Sequence, residues 1–233
     1  MGKIYASSDW HSCTTKVMQS LPKSFEKHIV VGDTLNKGIQ QFEMVEFLMA
    51  NRNNPKWVFC RGNAETRAIN EIIMHFDPNK TNMMLDFYGQ NSNYRNKNAA
   101  NVIIKLIEDG VYKKEDIYDL FLNKFKPYHI ETVAHDNVWI FAHASWIFTK
   151  TPQNQDYKNL MYDSYHLLEK LKKHDKIKFL KMYENTRFCF GHTNVKSIYK
   201  NATPPVEFEN GKIFYIDNGI FHKANNCYFH RIK

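Results

Sequence analysis

Short apolar runs, each closed by a polar cluster that carries Asp, His or Asn, recur five times along the chain. Lys3 to Ser7 leads into Asp9 and His11, His28 to Val31 into Gly32-Asp33, and Lys56 to Cys60 into Asn63. Val138 to Ala142 leads into His143, and Thr186 to Phe190 into His192. Runs of this length bounded by turn formers read as buried strands, and Gly32 lets the chain turn sharply after the second. Between the first three the period changes to a helical one. Val17, Met18 and Leu21 follow Thr14 until Pro22, and Ile39, Phe42, Val45 and Met49 recur up to Ala50. Ala68, Ile69, Ile72, Ile73 and Phe76 form one face that ends at Pro78. The order β-α-β-α-β predicts parallel pairing with right-handed crossovers.

Beyond Pro78 the pattern shifts. A polar, Asn-rich stretch is followed by two helical candidates, Ala99 to Glu108 and Lys113 to Phe125. The chain therefore reads as a single domain over 1–233 with a helical insertion at 79–126, either a cap over the strand ends or ordinary cover for the core. Pro127 to Val133 and Val138 to Ala142 pair as a hairpin around His135-Asp136-Asn137. Tyr157 to Tyr183 is helical with a lysine-rich face, and the remainder is strand-rich: Lys212 to Ile216 and Cys227 to Ile232 join Thr186 to Phe190.

Composition narrows the class. At 233 residues and 43% hydrophobic content the chain can bury a full core without covalent staples. Cys13, Cys60, Cys189 and Cys227 form no C-x-x-C pair, so free thiols in a reducing compartment are expected. No apolar run approaches membrane-spanning length, and the first strand begins too early to leave room for a signal peptide, so the expected location is the cytoplasm, with no membrane partner. The formal charge of +8 suits an anionic substrate. Its lysines are spread along the chain, so nucleic acid is a less favoured partner, and a monomer is expected.

The polar clusters carry the chemistry. Open α/β sheets hold ligands just past the carboxyl ends of their strands, where this chain offers carboxylates, an amide oxygen and imidazoles. That mixture suits manganese, iron or zinc better than calcium, and Asp33 is the candidate to bridge two ions.

The segments Asp9-Trp10-His11, Gly32-Asp33-Thr34-Leu35-Asn36-Lys37-Gly38, Arg61-Gly62-Asn63-Ala64-Glu65, Phe141-Ala142-His143-Ala144 and Gly191-His192-Thr193 occur in the order and approximate spacing of the calcineurin-like metallophosphoesterases. The chain most resembles their small phage and bacterial-type Ser/Thr protein phosphatases and the diadenosine tetraphosphate hydrolases. Tyr215-Ile216-Asp217-Asn218-Gly219 is similar to the family's closing I-D-T-G. The resemblance implies an α/β fold with a central β-sandwich flanked by helices. It implies two divalent metal ions, most simply manganese, with Asp9 and His11 on the first, Asn63, His143 and His192 on the second, and Asp33 between them. It also implies hydrolysis of a phosphorylated protein or a nucleotide by a hydroxide shared between the ions.

Three positions depart from the family pattern. Ala64 stands where the family has the histidine that protonates the leaving oxygen, Asn36 where that histidine has its carboxylate partner, and Lys37 where an arginine contacts phosphate. Lysine keeps the charge and loses the two-pronged fit. Arg61 is retained as the other expected phosphate contact. A positioned general acid contributes typically ~10²- to 10⁴-fold in rate, so slow turnover is expected, or alternatively a non-catalytic, metal-dependent binder of a phosphorylated protein, nucleotide or RNA end. Two origins fit Ala64: an inactivating substitution, which the retained ligands favour, or a natural loss of catalysis, to which Asn36 and Lys37 lend weight.

Overall fold

A computed structural model describes residues 2–79, 97–133, 137–146, 152–155, 160, 181, 183–220 and 226–232. Two five-stranded sheets face each other. In the first, β1 (Ile4–Ser7), β2 (Lys27–Val31) and β3 (Trp57–Cys60) run parallel, with Ser7 opposite Val30 and Val31 opposite Cys60. This is the arrangement that the β-α-β-α-β order dictates, with α1 (Thr14–Ser20) and α2 (Gln41–Asn51) as the crossovers. The two-residue β4 (Phe125–Lys126) pairs with Phe59 and Cys60, and β10 (His230–Ile232) closes the other edge antiparallel to β1.

The second sheet has the order β5 (Tyr128–Val133), β6 (Asn137–Ala142), β7 (Thr186–Phe190), β9 (Ile213–Tyr215), β8 (Val206–Phe208). β5 and β6 form the expected antiparallel hairpin, and β6, β7 and β9 are parallel. Side chains alternate between two buried faces along the central strands. Ile29 and Val31 of β2 join Cys60, Phe141, Cys189 and Ile216 between the sheets, while Val30 faces the helices. Burial on both faces explains why these strands read as continuous apolar runs.

α3 (Asn63–Phe76) and α4 (Lys97–Glu108) pack on the outer face of the first sheet. Ile103, Ile117, Leu120 and Phe121 from the described part of the 79–126 segment share one core with Ile69 and Ile72, so these residues cover the sheet's outer face. The second helical candidate there is shorter than its apolar period predicts: α5 (Lys114–Tyr118) gives way to a π-helical turn over Asp119–Lys124 and then to β4. Ile39, expected on the inner face of α2, lies before that helix begins and is 97% exposed. The helix expected over 157–183 lies outside the described residues apart from Leu160, Lys181 and Tyr183. The same holds for the Asn-rich residues 80–96.

Candidate metal centre

The carboxyl ends of six parallel strands meet at one end of the sandwich. β1, β2 and β3 deliver Asp9 and His11, Asp33 and Asn63. β6, β7 and β9 deliver His143, His192 and Asp217. The loops that follow the strands are laced together: Asp9 N–H donates to Gly32 O at 3.0 Å, His11 N–H to Asp33 O at 2.9 Å, and Gly191 N–H to His143 O at 2.9 Å. Asp9, His11, Asp33 and His192 all have positive φ, between 46° and 60°. Non-glycine residues pay for that conformation, and here it turns each side chain inward immediately after its strand.

Of the three glycines that precede Asp33, Asn63 and His192, Gly32 at φ 78° takes the left-handed region that its sharp turn needs. Gly62 and Gly191 are set by close approach, because a Cβ on Gly62 would lie 2.3 Å from Asp33 Oδ1 and one on Gly191 2.5 Å from Asp9 Oδ2.

All six expected metal ligands come together. Asp9, His11 and Asp33 bring ligand atoms within 4.8 Å of one another. His143 Nε2 lies 3.3 Å from Asp33 Oδ1, 3.1 Å from Asn63 Oδ1 and 3.1 Å from His192 Nδ1. The hydrogen bonds fix the tautomers. A backbone carbonyl only accepts, so His143 Nδ1 donates to Val31 O at 3.0 Å and His11 Nδ1 donates to Leu35 O at 3.2 Å. Both Nε2 atoms then face the cluster. Burial holds His11 and His192 down at about 4, which keeps both imidazoles neutral near pH 7.

His143 Nε2 faces the Asp33 carboxylate and the Asn63 amide, and carboxylates, an amide and imidazoles gathered on one point are a donor set that fits a divalent metal. With its amide ends exchanged, Asn63 would donate from its nitrogen to His143, His192 and Asp33 at 3.1–3.2 Å, which satisfies the hydrogen bonds without a cation, whereas the oxygen-inward orientation offers a metal a ligand atom.

Charge points the same way. Asp9, Asp33, Glu65 and Asp217 are buried around the centre at 2%, 4%, 0% and 4% exposure. Burial and the neighbouring Asp217 and Asp33 raise the Asp9 carboxyl, and burial pushes Asp217 up to about 6. For Asp33, burial is outweighed by the His143 and His11 imidazoles and the Ala64 N–H, and its carboxyl is lowered. Two divalent cations would balance four carboxylates, and paired charge is the condition under which buried carboxylates persist.

Glu65 and Asp217 were absent from the ligand set read from the sequence. Glu65 is the anchor of the Asp33 loop: Oε1 accepts from Thr34 N at 2.7 Å, Thr34 Oγ1 at 2.8 Å and Leu35 N at 3.2 Å. Its Oε2 accepts from Asp33 N at 3.0 Å and Gly62 N at 2.8 Å. The signal was its position three residues after Gly62, the spacing at which a glutamate reaches back over a helix start. Asp217 follows β9 by two residues, as Asp33 follows β2, and its Oδ1 accepts from Gly219 N.

The expected substrate contacts diverge. Lys37 Nζ stands 3.1 Å from His11 Nε2, at the centre itself. Arg61 turns its Nη2 the other way, donating to the carbonyls of Phe121, Leu122 and Phe125 at 2.7, 2.9 and 3.2 Å. That nitrogen ties the π-helical turn to the end of β3. Ala64 is buried on the first turn of α3, its N–H donating to Asp33 Oδ1 at 2.8 Å, and its methyl group has no proton to give. Asn36 is also buried, and neither its amide oxygen nor its amide nitrogen has a partner among the described residues.

A sandwich of two mixed sheets with carboxylates, imidazoles and an amide gathered at its strand ends defines a phosphoesterase-type metal centre. The sequence matches the calcineurin-like phosphoesterase family over residues 2–216, and the chain belongs to that family. No curated protein matches it. Among solved structures it is similar to a protein provisionally described as a diadenosine tetraphosphatase, at 12% identity with a TM-score of 0.56, covering 99% of this chain and 93% of that one. It is also similar to the cold-active protein-tyrosine phosphatase of a psychrophilic Shewanella species, at 13% identity with a TM-score of 0.56, over 98% and 75% of the two chains. A hypothetical protein of Pyrococcus horikoshii OT3 aligns at 10% identity and TM-score 0.56 over 99% and 88%. At these identities the likeness is one of fold. No described helix is long and apolar enough to cross a membrane.

Proposed function

We propose that the protein is a two-metal phosphoester hydrolase with its proton donor missing, acting on a phosphorylated protein or a nucleotide. The observation that carries this reading is the convergence of the six expected ligands at the strand ends, where the ligand atoms of Asp9, His11 and Asp33 lie within 4.8 Å of one another and His143 Nε2 lies 3.3 Å from Asp33 Oδ1. Asp9 and His11 would hold one ion, Asn63, His143 and His192 the other, and Asp33 would bridge them. Bound there, two divalent ions, manganese by preference, supply a low-pKa water and charge neutralisation for the phosphoryl group.

The chain's own groups do the rest. Lys37 offers a positive charge to the phosphoryl oxygens. Asp33, held by Ala64 N–H and by Glu65 through its own N–H, keeps a fixed position between the two ligand sets. As water bonds to phosphorus and the P–O bond breaks, the leaving oxygen must take its proton from solvent, because Ala64 offers none. The loss falls on alkyl phosphates, at roughly 10²- to 10⁴-fold, and is mild for aryl phosphates, whose leaving group needs no proton.

The test is turnover of an aryl phosphate, a phosphoserine peptide and a dinucleoside polyphosphate by manganese-supplied protein, with and without Ala64→His. A gain of about 10²-fold or more on the peptide or the polyphosphate supports the reading. No gain on any of them refutes it. The joint departure at Ala64 and Asn36 favours a second reading, a non-catalytic metal-dependent binder. Its signature is tight ligand binding in both forms with turnover in neither.

A further inference from the structure

His28, on β2, is fully buried in a box of aromatic rings: it stacks on Trp57 at 4.8 Å and meets Phe25 at 5.5 Å and Phe229 at 5.1 Å edge-on. A phenylalanine would fill such a box with no polar atom to bury. The imidazole is costly there, because its Nδ1 has no partner among the described residues. The ring's one hydrogen bond among those residues joins Nε2 to Ser7 Oγ at 2.8 Å. Ser7 is the last residue of β1, and its hydroxyl oxygen also accepts from Trp10 Nε1–H at 2.9 Å. Ser7 and Trp10 are fully buried too. The three side chains form a polar chain, His28 to Ser7 to Trp10, in apolar surroundings where such hydrogen bonds hold their members rigidly.

Trp10 stands between Asp9 and His11. Those two have φ of 54° and 46°, a strained backbone that persists only where its surroundings over-determine it. On either side of Trp10 the restraint is main-chain: Asp9 N–H donates to Gly32 O and His11 N–H to Asp33 O. At Trp10 itself it is the indole, set against Phe47 at 5.7 Å and Trp57 at 5.9 Å and pinned by its N–H. That N–H needs a single acceptor, which Ser7 alone would supply. His28 adds a fixed hydroxyl, because a serine O–H otherwise rotates and a second partner sets its direction.

We propose that His28 is a positioning residue for the metal centre, acting through Ser7 and the Trp10 indole to fix the turn that carries Asp9 and His11. The inference rests on the two-metal reading above and is independent of turnover. A His28 that served packing alone would change stability and leave metal affinity untouched.

The test is manganese affinity by titration calorimetry on the chelator-treated full chain, with urea denaturation of the same samples. Ser7→Ala and His28→Phe cut the chain at different links, and each should weaken manganese binding about threefold or more, less than the roughly 10- to 100-fold typical of a direct partner of a ligand. Where one of them does not fold, the other reads the same chain. The double variant should bind no worse than the weaker single one, since both remove one shared interaction. His28→Gln, whose amide can reach Ser7 as Nε2 does, should stay within about twofold of the parent, as should Phe229→Leu, which loosens the box and spares the chain. A smaller loss in either cutting variant, or an equal loss in His28→Gln or Phe229→Leu, would overturn the proposal while leaving the metal centre standing. A parent chain that binds no manganese would overturn the metal centre and this inference with it.

Discussion

Replacing Glu65 by glutamine changes one atom in a fully buried side chain and tests whether the metal centre depends on that carboxylate. Five donors converge on its two oxygens, four of them backbone or hydroxyl groups of Asp33, Thr34 and Leu35 and the fifth from Gly62. Glutamine fills the same space, yet either way round its NH₂ faces donors. The least damaging orientation places that NH₂ against Asp33 N and Gly62 N and strands two N–H groups in the interior. Hydrogen bonds to a charged acceptor are worth about 1.5–3 kcal/mol each, so the loss is roughly 3–6 kcal/mol. Part of this cost is relieved if the Asp33 loop lifts away, and that movement separates Asp33 from His143. Urea denaturation without metal should therefore show reduced stability. Manganese titration should show affinity lowered at least about 10-fold even where the variant remains folded. A Glu65→Gln protein within 1 kcal/mol of the parent, binding manganese as tightly, would refute the account of how Asp33 is held.

Three further outcomes follow from the same geometry. Gly191→Ala places a methyl group 2.5 Å from Asp9 Oδ2 and 2.6 Å from Ser8 Cβ, so calorimetry should find metal affinity at the Asp9 site reduced while circular dichroism stays unchanged. Because four buried carboxylates await compensation, saturating manganese should stabilise the fold by about 2–4 kcal/mol and raise Tm by roughly 5–10 °C; identical melting with manganese and with chelator would count against a cation site. His28, held down at about 3 by burial and stacked on Trp57, must stay neutral to fold, so its contribution is complete above its unfolded pKa near 6.5 and is lost as pH falls towards 3. At about 1.4 kcal/mol per unit this amounts to roughly 5 kcal/mol, and the pH dependence of urea midpoints should flatten accordingly in His28→Phe.

The parallel frame and the gathering of Asp9, His11, Asp33, Asn63, His143 and His192 at the strand ends were legible because both follow from local pattern. Two-faced burial makes β1, β2, β3, β6 and β7 continuous apolar runs, and a strand's last residue fixes where the next polar side chain emerges. What escaped was decided by tertiary contact. β4 has two residues and β8 three, too short for any period to register. Ile39 keeps helical spacing with Phe42 and Val45, but Gly38 is pinned under the His11 loop, its N–H donating to His11 O at 2.7 Å, and the helix starts only at Gln41. Arg61 looks like a phosphate contact on the sequence alone. Nothing local reveals that three carbonyls at the end of the 119–124 turn lie within its reach.

The pairing of Ala64 with Asn36 is the point at which chemistry and packing disagree. Every expected ligand is present, as are the glycines whose missing Cβ atoms make room for Asp33 and Asp9. The departures from the resemblance fall at Ala64 and Asn36, where it implies a proton donor and its partner, and at Lys37, where it implies an arginine. Asn36 meanwhile has both amide atoms buried without partners among the described residues, a burial that ordinarily costs about 1–3 kcal/mol per group. A site under general decay would shed its strained backbone first, since residues at positive φ such as Asp9, His11 and Asp33 cost stability once binding no longer repays them. On the proposed function, strained ligand positions beside Ala64 fit a bound phosphate whose leaving group needs no proton, or a phosphate that is never meant to leave. The two cases separate on the slope of log rate against leaving-group pKa. A steep negative slope that Ala64→His flattens belongs to the first, and no measurable rate at any leaving group belongs to the second.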